Sequence, residues 1–274
     1  MANHSPIGVF DSGIGGLSIL KEIVKILPEY DYVYLGDNAR APYGPRSFET
    51  VYQYTWENVQ KLFEMGCPLV ILACNTSSAK ALRTIQQVNL PKTDSKKRVL
   101  GVIRPTSETV GKFTKTNHIG ILGTKGTVQS DSYKIEIQKF YPEIKIFQQA
   151  CPMFVPLVEN NEINTPATGY FVKKYLSALF AKSKKIDTII LGCTHYPLLK
   201  KVIMRNLPKG VRVISQGEIV AESLADYLLR HPEIKRKCSK GGKLEFYTTD
   251  SAIAFDKSAG FFWRNKIRSK HLAV

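Results

Sequence analysis

The chain has 274 residues, of which 43% are hydrophobic, 10% aromatic and 23% charged. This composition is typical of one large or two small globular domains, and it excludes collagen-like, low-complexity and wholly disordered chains. The formal net charge of +16 by itself favours an acidic partner such as nucleic acid. However, the basic residues are spread along the chain, and the densest run, Lys235-Arg236-Lys237, lacks the interleaved aromatic residues of a base-stacking surface. We therefore do not expect nucleic-acid binding as the main function.

Short apolar runs alternate with amphipathic segments, which is the pattern of strand-helix-strand units around a mainly parallel sheet. The predicted strands cover residues 7–10, 32–35, 69–73, 99–103, 118–122, 144–148, 188–191, 211–214 and 244–248. The predicted helices, with apolar residues at helical spacing, cover residues 17–27, 48–63, 78–88, 129–140, 169–182 and 220–229. We therefore expect an α/β fold throughout.

Two stretches of the sequence suggest domain boundaries. A polar, basic segment runs from Pro91 to Arg98, and a turn-rich segment runs from Pro208 to Val211. The tail after Ser215, roughly 60 residues long, would form only a marginal core alone, so we expect it to return to the first domain. The prediction is a first domain of residues 1–97 and 216–274 and a second domain of residues 98–215.

No apolar stretch approaches the roughly 18 residues of a membrane span, and the first eight residues lack the charged and apolar segments of an export signal. The cysteines are odd in number, widely spaced and without a CxxC pair: Cys67, Cys74, Cys151, Cys193 and Cys238. They indicate neither a disulfide framework nor a zinc site. We therefore expect a cytoplasmic protein with no membrane partner.

A glycine-rich turn joins the first predicted strand to the first predicted helix, from Phe10 through Asp11, Ser12 and Gly13 to Ser18. It partly imitates a dinucleotide-binding loop, with Asp37 in the place of the ribose-binding acid. Ser18 replaces the third glycine, however, and Asp11 would direct a carboxylate at a pyrophosphate that needs N–H donors. A tight turn with an N-capping residue is the other interpretation, and both stay open on these residues.

Two cysteines follow buried-looking strands in equivalent positions, Cys74 after residues 69–73 and Cys193 after residues 188–191. Ligands of α/β proteins bind at the carboxyl ends of strands, and N–H groups of a following helix lower a thiol pKa from about 8.5. A single buried cysteine is more often an inert small hydrophobe, and this interpretation is kept for Cys67, Cys151 and Cys238. Cys74 and Cys193, however, both directly follow a buried-looking strand, and this shared position argues against an inert role for these two cysteines.

Polar residues next to these two cysteines strengthen the chemical interpretation. Asn75, Thr76 and Thr194 supply hydrogen-bond donors for a carboxylate. His195 lies two residues beyond Cys193, and in an extended segment both side chains share one face, so we expect a proton exchange between them. Glu159 ends an apolar run and is either a helix-cap acid or a site residue.

Seven blocks of the sequence carry a family resemblance. They are, in order, Phe10-Asp11-Ser12-Gly13 through Leu17; Gly36-Asp37 with Pro42-Tyr43-Gly44; Ala73-Cys74-Asn75-Thr76; Gly101-Val102-Ile103; Gly123-Thr124 with Thr127; Cys151-Pro152 through Val158-Glu159; and Leu191-Gly192-Cys193-Thr194-His195-Tyr196-Pro197-Leu198-Leu199. Together they resemble the glutamate racemase family, within the cofactor-independent aspartate/glutamate racemase superfamily, over nearly the whole length.

Two short segments depart from the family pattern. Ser215-Gln216-Gly217 stands where the family usually has Asp-Ser-Gly, and Thr106 follows Pro105 where the family usually has glycine. We expect these departures to affect packing around the site or contacts between domains more than the cysteine pair.

The resemblance implies two α/β domains that face each other across an active-site cleft, with one cysteine from each. It implies interconversion of L- and D-glutamate, which supplies D-glutamate for peptidoglycan synthesis, without metal or organic cofactor. Cys193 would remove the proton from L-glutamate and Cys74 would reprotonate the opposite face. Asp11 would be the acid/base neighbour of Cys74, and His195 that of Cys193, and inversion does need such groups on both faces.

The resemblance also implies groups that bind the substrate's carboxylates and amine, namely Asp11, Ser12, Tyr43, Gly44, Asn75, Thr76, Thr194 and His195. Auxiliary candidates are Asp37, Glu159, Thr124 and Thr127. We expect a homodimer. The alternatives are a racemase for aspartate or another amino acid, a non-catalytic small-anion binding protein and a basic nucleic-acid-binding protein.

Overall fold

The computed structural model describes residues 5–263 and 265–274, and within them two parallel sheets carry the fold. The strands are β1 Ile7–Asp11, β2 Tyr32–Gly36, β3 Leu69–Leu72, β4 Arg98–Gly101, β5 His118–Gly123, β6 Lys145–Ala150, β7 Thr188–Gly192, β8 Arg212–Ile214, β9 Leu244–Thr248 and β10 Ser269–His271. The first sheet has the order β10-β9-β2-β1-β3-β4, and the second has the order β6-β5-β7-β8. The predicted α/β class with two mainly parallel sheets is confirmed.

Helices cover both sheets, which is why the central strands β1, β2, β3 and β7 are buried along their whole length. The helices are α1 Leu17–Ile26, α2 Phe48–Glu64, α3 Asn75–Lys80, α4 Leu82–Thr84, α5 Leu90–Thr93, α6 Ile103–Thr109, α7 Lys125–Gln129, α8 Ser132–Phe140, α9 Phe154–Glu159, α10 Pro166–Lys182, α11 Lys200–Arg205, α12 Gly217–Arg230, α13 Pro232–Lys235 and α14 Ala252–Ala259. Short 3₁₀ turns cover Asn38–Arg40, Val110–Lys112 and Tyr196–Leu199, and a π turn covers Ile85–Asn89. No helix among the described residues is long and apolar enough to cross a membrane.

Several helices differ from the sequence-based expectation. The predicted helix 78–88 is divided into three segments, namely α3, α4 and the π turn. Helix α3 begins earlier than predicted, at Asn75 directly after Cys74, and ends at Lys80. The predicted helix 129–140 is divided at Asp131, whose φ of 52° is left-handed and cannot continue a right-handed helix. Strand β10 was not predicted, since it is a short, polar edge strand without apolar alternation.

The chain crosses between the two sheets twice, once after β4 and once after β8. Strand β4 pairs with β3, with Val99 opposite Val70, so it lies in the first sheet although the prediction placed residues from 98 onward in the second domain. After β8 the chain returns, and β9 pairs with β2. We propose that the first domain boundary follows Gly101; the remaining domain limits stay predictions.

The loops at the carboxyl ends of the two sheets touch each other. Ser18, at the start of α1, donates a hydrogen bond from its hydroxyl to the carbonyl of Thr194, after β7, at 2.9 Å. A Cβ atom on Gly15 would lie 2.4 Å from both Thr194 Oγ1 and His195 Nδ1. This close approach requires glycine, so Gly15 allows the two loops to close over the space between the sheets.

We predict that Gly15→Ala opens this contact while both sheets stay folded. The added methyl group overpacks the junction by about 1–3 kcal/mol, which shifts the balance toward the open form roughly tenfold or more. Cys74 and Cys193 are buried at this junction, and we expect a disulfide reagent to label them about tenfold faster in the variant. Mass spectrometry identifies the labelled thiols, and circular dichroism verifies the fold.

Gly13→Ala is the matched control in the same loop, because its Cβ would meet only Asn38 Nδ2, at an ordinary 3.7 Å. Labelling of Gly15→Ala at the wild-type rate, with the fold intact, would show that Gly15 does not control closure.

Candidate active site

Cys74 lies between β3 and α3 and caps this helix. Its sulfur accepts a hydrogen bond from the backbone N–H of Ser77 at 3.5 Å, and its thiol donates to Ser12 Oγ at 3.4 Å. Burial, followed by the charge of Asp11, raises the pKa of Cys74 to about 11, although the contacts with Ser12 and Ser77 act in the opposite direction. The prediction of a lowered pKa at this helix terminus is therefore wrong for Cys74, because desolvation outweighs the helix N–H groups.

Asp11 is the last residue of β1 and is fully buried. Its Oδ2 accepts a hydrogen bond from the backbone N–H of Gly13 at 3.0 Å, whereas its buried Oδ1 has no partner. Desolvation raises the pKa of Asp11, against the charge of His195 and the N–H groups of Gly16 and Gly13. Asp11 is thus a buried carboxyl group with a raised pKa whose charge acts on the Cys74 thiol.

Cys193 follows β7 and interacts with a second acid/base group, His195. Burial opposes a charge on the His195 ring, but hydrogen bonds to Cys193 and Glu159 outweigh it and raise the pKa of His195 to about 10. His195 Nε2 lies 2.9 Å from Glu159 Oε1, at the end of α9. The ring is further fixed by edge-to-face contact with Phe262, at 5.3 Å between ring centroids. Glu159 is therefore a contact residue of His195.

The backbone brings Cys193 and His195 together in another way than the sequence suggested. The segment is not extended: His195 has helical angles, and the N–H of Tyr196 donates to the carbonyl of Cys193 at 3.1 Å. A tight turn therefore joins Cys193 and His195. From the sequence, an extended segment was expected, in which alternate side chains share one face. Thr194 completes the turn, with its Oγ1 at 3.5 Å from His195 Nδ1.

Threonine hydroxyls from both sides of the cleft meet near the start of α3. Thr76 Oγ1 lies 2.9 Å from Thr124 Oγ1 and 3.4 Å from Thr127 Oγ1. Thr124 caps α7 through a hydrogen bond from the Thr127 N–H at 3.2 Å. Nearby, the carbonyl of Gly44 accepts a hydrogen bond from the N–H of Gly126 at 2.9 Å. These predicted site residues, Thr76, Thr124, Thr127 and Gly44, therefore lie at one contact between the two sheets.

Tyr43 and Asp37 form a separate buried network. The Tyr43 hydroxyl donates to Asp37 Oδ2, which also accepts from Arg40 Nε at 2.7 Å and Asn58 Nδ2 at 3.0 Å. Asp37 Oδ1 accepts from Thr249 Oγ1 at 2.8 Å. Because both carboxylate oxygens are occupied, the geometry gives Asp37 the role of fixing the loop that carries Tyr43.

Asn75 has one satisfied and one unsatisfied end. Its Oδ1 accepts a hydrogen bond from the Tyr133 hydroxyl at 2.7 Å, whereas its buried Nδ2 has no partner. Tyr133 was not among the predicted site residues, because an aromatic residue within an amphipathic helix reads as a core residue. Ser18 was noted only as a departure from a nucleotide-binding loop, and its contact with Thr194 joins residues 176 positions apart.

The site therefore contains two thiols, each with its own acid/base neighbour. In the first sheet, Asp11 is the last residue of β1 and Cys74 follows β3. In the second sheet, Cys193 and His195 follow β7. Among the described residues, no group of three or more His, Cys, Asp or Glu side chains is arranged to hold a metal ion.

Comparisons with known proteins identify the family of this chain. The family model for Asp/Glu/Hydantoin racemases matches residues 7–224. The glutamate racemase of Enterococcus faecalis is 43% identical over 265 residues, which cover 94% of this chain and 92% of that protein. The crystal structure of a Bacillus anthracis glutamate racemase isoform has a TM-score of 0.89 and 36% identity, covering 99% of this chain and 98% of that one.

The glutamate racemase of Francisella tularensis, crystallised with D-glutamate, has a TM-score of 0.87 and 32% identity, with 99% of this chain and 98% of that chain covered. The resemblance read from the seven sequence blocks is thus confirmed over nearly the whole length. The chain belongs to the Asp/Glu/Hydantoin racemase family.

Proposed function

We propose that this protein is a glutamate racemase that moves protons between two cysteine thiols and the Cα atom of glutamate. The observation that carries the proposal is the pair of buried thiols, Cys74 and Cys193, which follow strands of different sheets and have different acid/base neighbours. Inversion at Cα needs proton removal on one face and proton delivery on the other. Thiols supplied from opposite sides of a closed cleft meet this need.

The proposed proton transfers balance as follows. Before the reaction, protonated His195 stabilises the Cys193 thiolate. With L-glutamate as substrate, this thiolate takes the Cα proton and becomes a thiol. The Cys74 thiol then gives its proton to the opposite face of the carbanion and becomes a thiolate, with Asp11 as its acid/base neighbour. D-glutamate reacts by the same steps in reverse, and exchange with solvent resets the thiols.

A high thiol pKa is useful in this reaction. The Cα proton of an amino acid is weakly acidic, so a strong base is needed, and a base strengthens as the pKa of its conjugate acid rises. Desolvation, which raises the pKa of Cys74, therefore makes its thiolate a better base. Closure of the cleft provides this desolvation.

Hydrogen-bond donors at the same place suit a carboxylate-bearing substrate. Asn75 Nδ2 is buried without a partner, and the hydroxyls of Thr76, Thr124 and Thr127 converge from both sheets. Donors aimed at a carboxylate also stabilise the negative charge that develops on it when the Cα proton leaves. The relatives described above are glutamate racemases, which favours glutamate over aspartate.

By the family resemblance, we further propose that the D-glutamate formed is used in peptidoglycan synthesis. The homodimer and the cytoplasmic location stay predictions.

The direct test is to incubate the purified protein with L-glutamate or with L-aspartate, each in the presence of a metal chelator, and to follow optical rotation. We expect the rotation of L-glutamate to decay to zero, about 10- to 200-fold faster than that of L-aspartate, the usual discrimination for one methylene group. Faster decay with aspartate would reassign the substrate. Binding of either acid without decay would identify a small-anion binding protein.

We predict that Cys74→Ala and Cys193→Ala each lower kcat/KM about 10²- to 10⁴-fold or more, since each removes the acid/base group from one face. The loss must be equal in both directions, because the enantiomers have equal free energy. Cys238→Ala is the control, as this buried thiol lies outside the proposed site. Turnover near the wild-type rate by either site variant, with circular dichroism unchanged, would contradict the two-thiol assignment.

We also predict that Glu159→Gln lowers the pKa of His195. The Glu159 carboxylate contacts His195 Nε2 and stabilises the protonated ring, so its neutral replacement makes the ring lose its proton at lower pH. A titration of the imidazole ¹⁵N signals of His195 by NMR measures this change. Glu162→Gln is the matched control, because Glu162 is exposed nearby, and an equal His195 pKa in both variants would remove Glu159 from the site.

A further inference from the structure

His195 follows a strand of the second sheet, but two segments attached to the first sheet contact its ring. Phe262, which follows α14, meets the imidazole edge-to-face, with 5.3 Å between the ring centroids and 81° between the ring planes. Gly15 lies in the loop between β1 and α1. A Cβ atom on Gly15 would lie 2.4 Å from His195 Nδ1 and 2.6 Å from Cε1. The surroundings of the His195 ring are therefore built in part by the opposite sheet.

The position of Phe262 is fixed by the first sheet. Phe262 lies in the turn after α14, and its backbone N–H donates to the carbonyl of Ala259 at 3.0 Å. The next residue, Trp263, donates to the same carbonyl at 2.8 Å, and its indole packs edge-to-face on Phe246 of β9, with 5.7 Å between the ring centroids. Phe262 itself is only 5% exposed. The Phe262 ring is therefore a buried and anchored part of the first sheet's helix layer.

The hydrogen bond between His195 and Glu159 does not by itself fix the plane of the imidazole. It is made by Nε2, at 2.9 Å from Glu159 Oε1. Nε2 lies close to the axis about which the ring rotates at χ2, so rotation moves this atom little, and the χ2 torsion of histidine is broad. Rotation does move Nδ1, which is the ring nitrogen left to act on the thiol of Cys193. A contact with the ring itself is therefore needed to direct Nδ1.

We propose that Phe262 is a positioning residue that, from the first sheet, sets the plane of the His195 ring and thereby directs Nδ1 toward Cys193. Aromatic rings prefer edge-to-face packing, so the anchored Phe262 ring opposes rotation of the imidazole. Because Phe262 and His195 belong to different sheets, their contact forms only when the sheets close over each other. Phe262 acts through His195 and does not touch the substrate. The inference rests on the proposed function, since it takes His195 as the acid/base neighbour of Cys193.

Phe262→Leu tests the proposal, because it removes the ring and keeps an apolar side chain at the same place. We expect kcat and kcat/KM for L-glutamate to fall together, about two- to tenfold, which is the scale of one aromatic pair, with KM unchanged. Phe261→Leu is the matched control, because Phe261 lies in the same turn and is 41% exposed. Equal losses in the two variants, or a loss confined to KM, would overturn the proposal. If Phe262→Leu does not fold, Phe262→Met takes its place, because methionine fills irregular core space.

A direction-dependent isotope effect distinguishes positioning of His195 from a general loss of stability. The variant should slow proton transfer on the face of Cα that Cys193 serves. The isotope effect on kcat/KM should therefore rise with Cα-deuterated L-glutamate, whose deuterium Cys193 removes, and fall with Cα-deuterated D-glutamate, whose deuterium Cys74 removes. A smaller amount of folded protein would lower both rates and change neither isotope effect. Unchanged isotope effects in Phe262→Leu, or shifts in the opposite sense, would contradict the proposal.

Crystal structures of the wild type, Phe262→Leu and Phe261→Leu give a readout that does not depend on turnover. We expect the His195 ring to be rotated at χ2, or to occupy two orientations, in Phe262→Leu, and to keep its wild-type orientation in Phe261→Leu. If the ring rotates while the wild-type protein racemises neither acid, the positioning contact is supported and the proposed function fails. If the wild type racemises glutamate while the ring orientation and the isotope effects stay unchanged in Phe262→Leu, the positioning role is overturned and the function stands.

Discussion

Closure of the two sheets over one another is the constraint on which the site depends. The hydroxyl of Ser18 binds the carbonyl of Thr194 across the junction, and Gly15 leaves room for Thr194 and His195 to approach. Cys74 and Cys193 are both buried in this arrangement. Burial raises the pKa of Cys74, and the thiolate of a thiol with a high pKa is a strong base once it has formed.

The two thiols have different acid/base neighbours on the two sides of the cleft. Beside Cys74 lies the buried carboxyl group of Asp11, whose pKa is raised by desolvation. Beside Cys193, the imidazole of His195 is kept in its charged form by hydrogen bonds to Cys193 and Glu159. A buried carboxyl group on one side and an imidazole on the other leave each thiol in a distinct electrostatic environment, although the two follow strands in equivalent positions.

The sequence predicted the strands and the polar residues directly after them well, because both signals are local. Cys74, Asn75 and Cys193 follow apolar strands, and the carboxyl ends of parallel strands are ligand sites in α/β folds. Strand β4 pairs with β3 of the first sheet, beyond the predicted limit of the first domain at residue 97, and such pairing depends on contacts that a local sequence pattern does not carry. Strand β10 carries no apolar pattern, so its pairing with β9 had no local signal.

The environment of the site could not be predicted in the same way. The pKa of Cys74 depends on desolvation by residues that are distant in sequence, whereas the helix N–H groups that suggested a lowered pKa are local. Gln216 and Thr106 were recognised as unusual, but their contact joins positions 110 residues apart. From the sequence, Tyr133 is expected to be a core residue, and only the structure shows that its hydroxyl contacts Asn75.

The central claim, that separate acid/base groups act on the two faces of Cα, is tested most directly by the fate of solvent deuterium. The wild-type protein is incubated with protiated L-glutamate in D₂O, the reaction is stopped at low conversion, and both enantiomers are separated and analysed by mass spectrometry. We expect the D-glutamate to carry deuterium at Cα while the remaining L-glutamate keeps its protium. D-glutamate that retains the original proton would show that one group carries it between both faces, and would contradict a mechanism with two thiols.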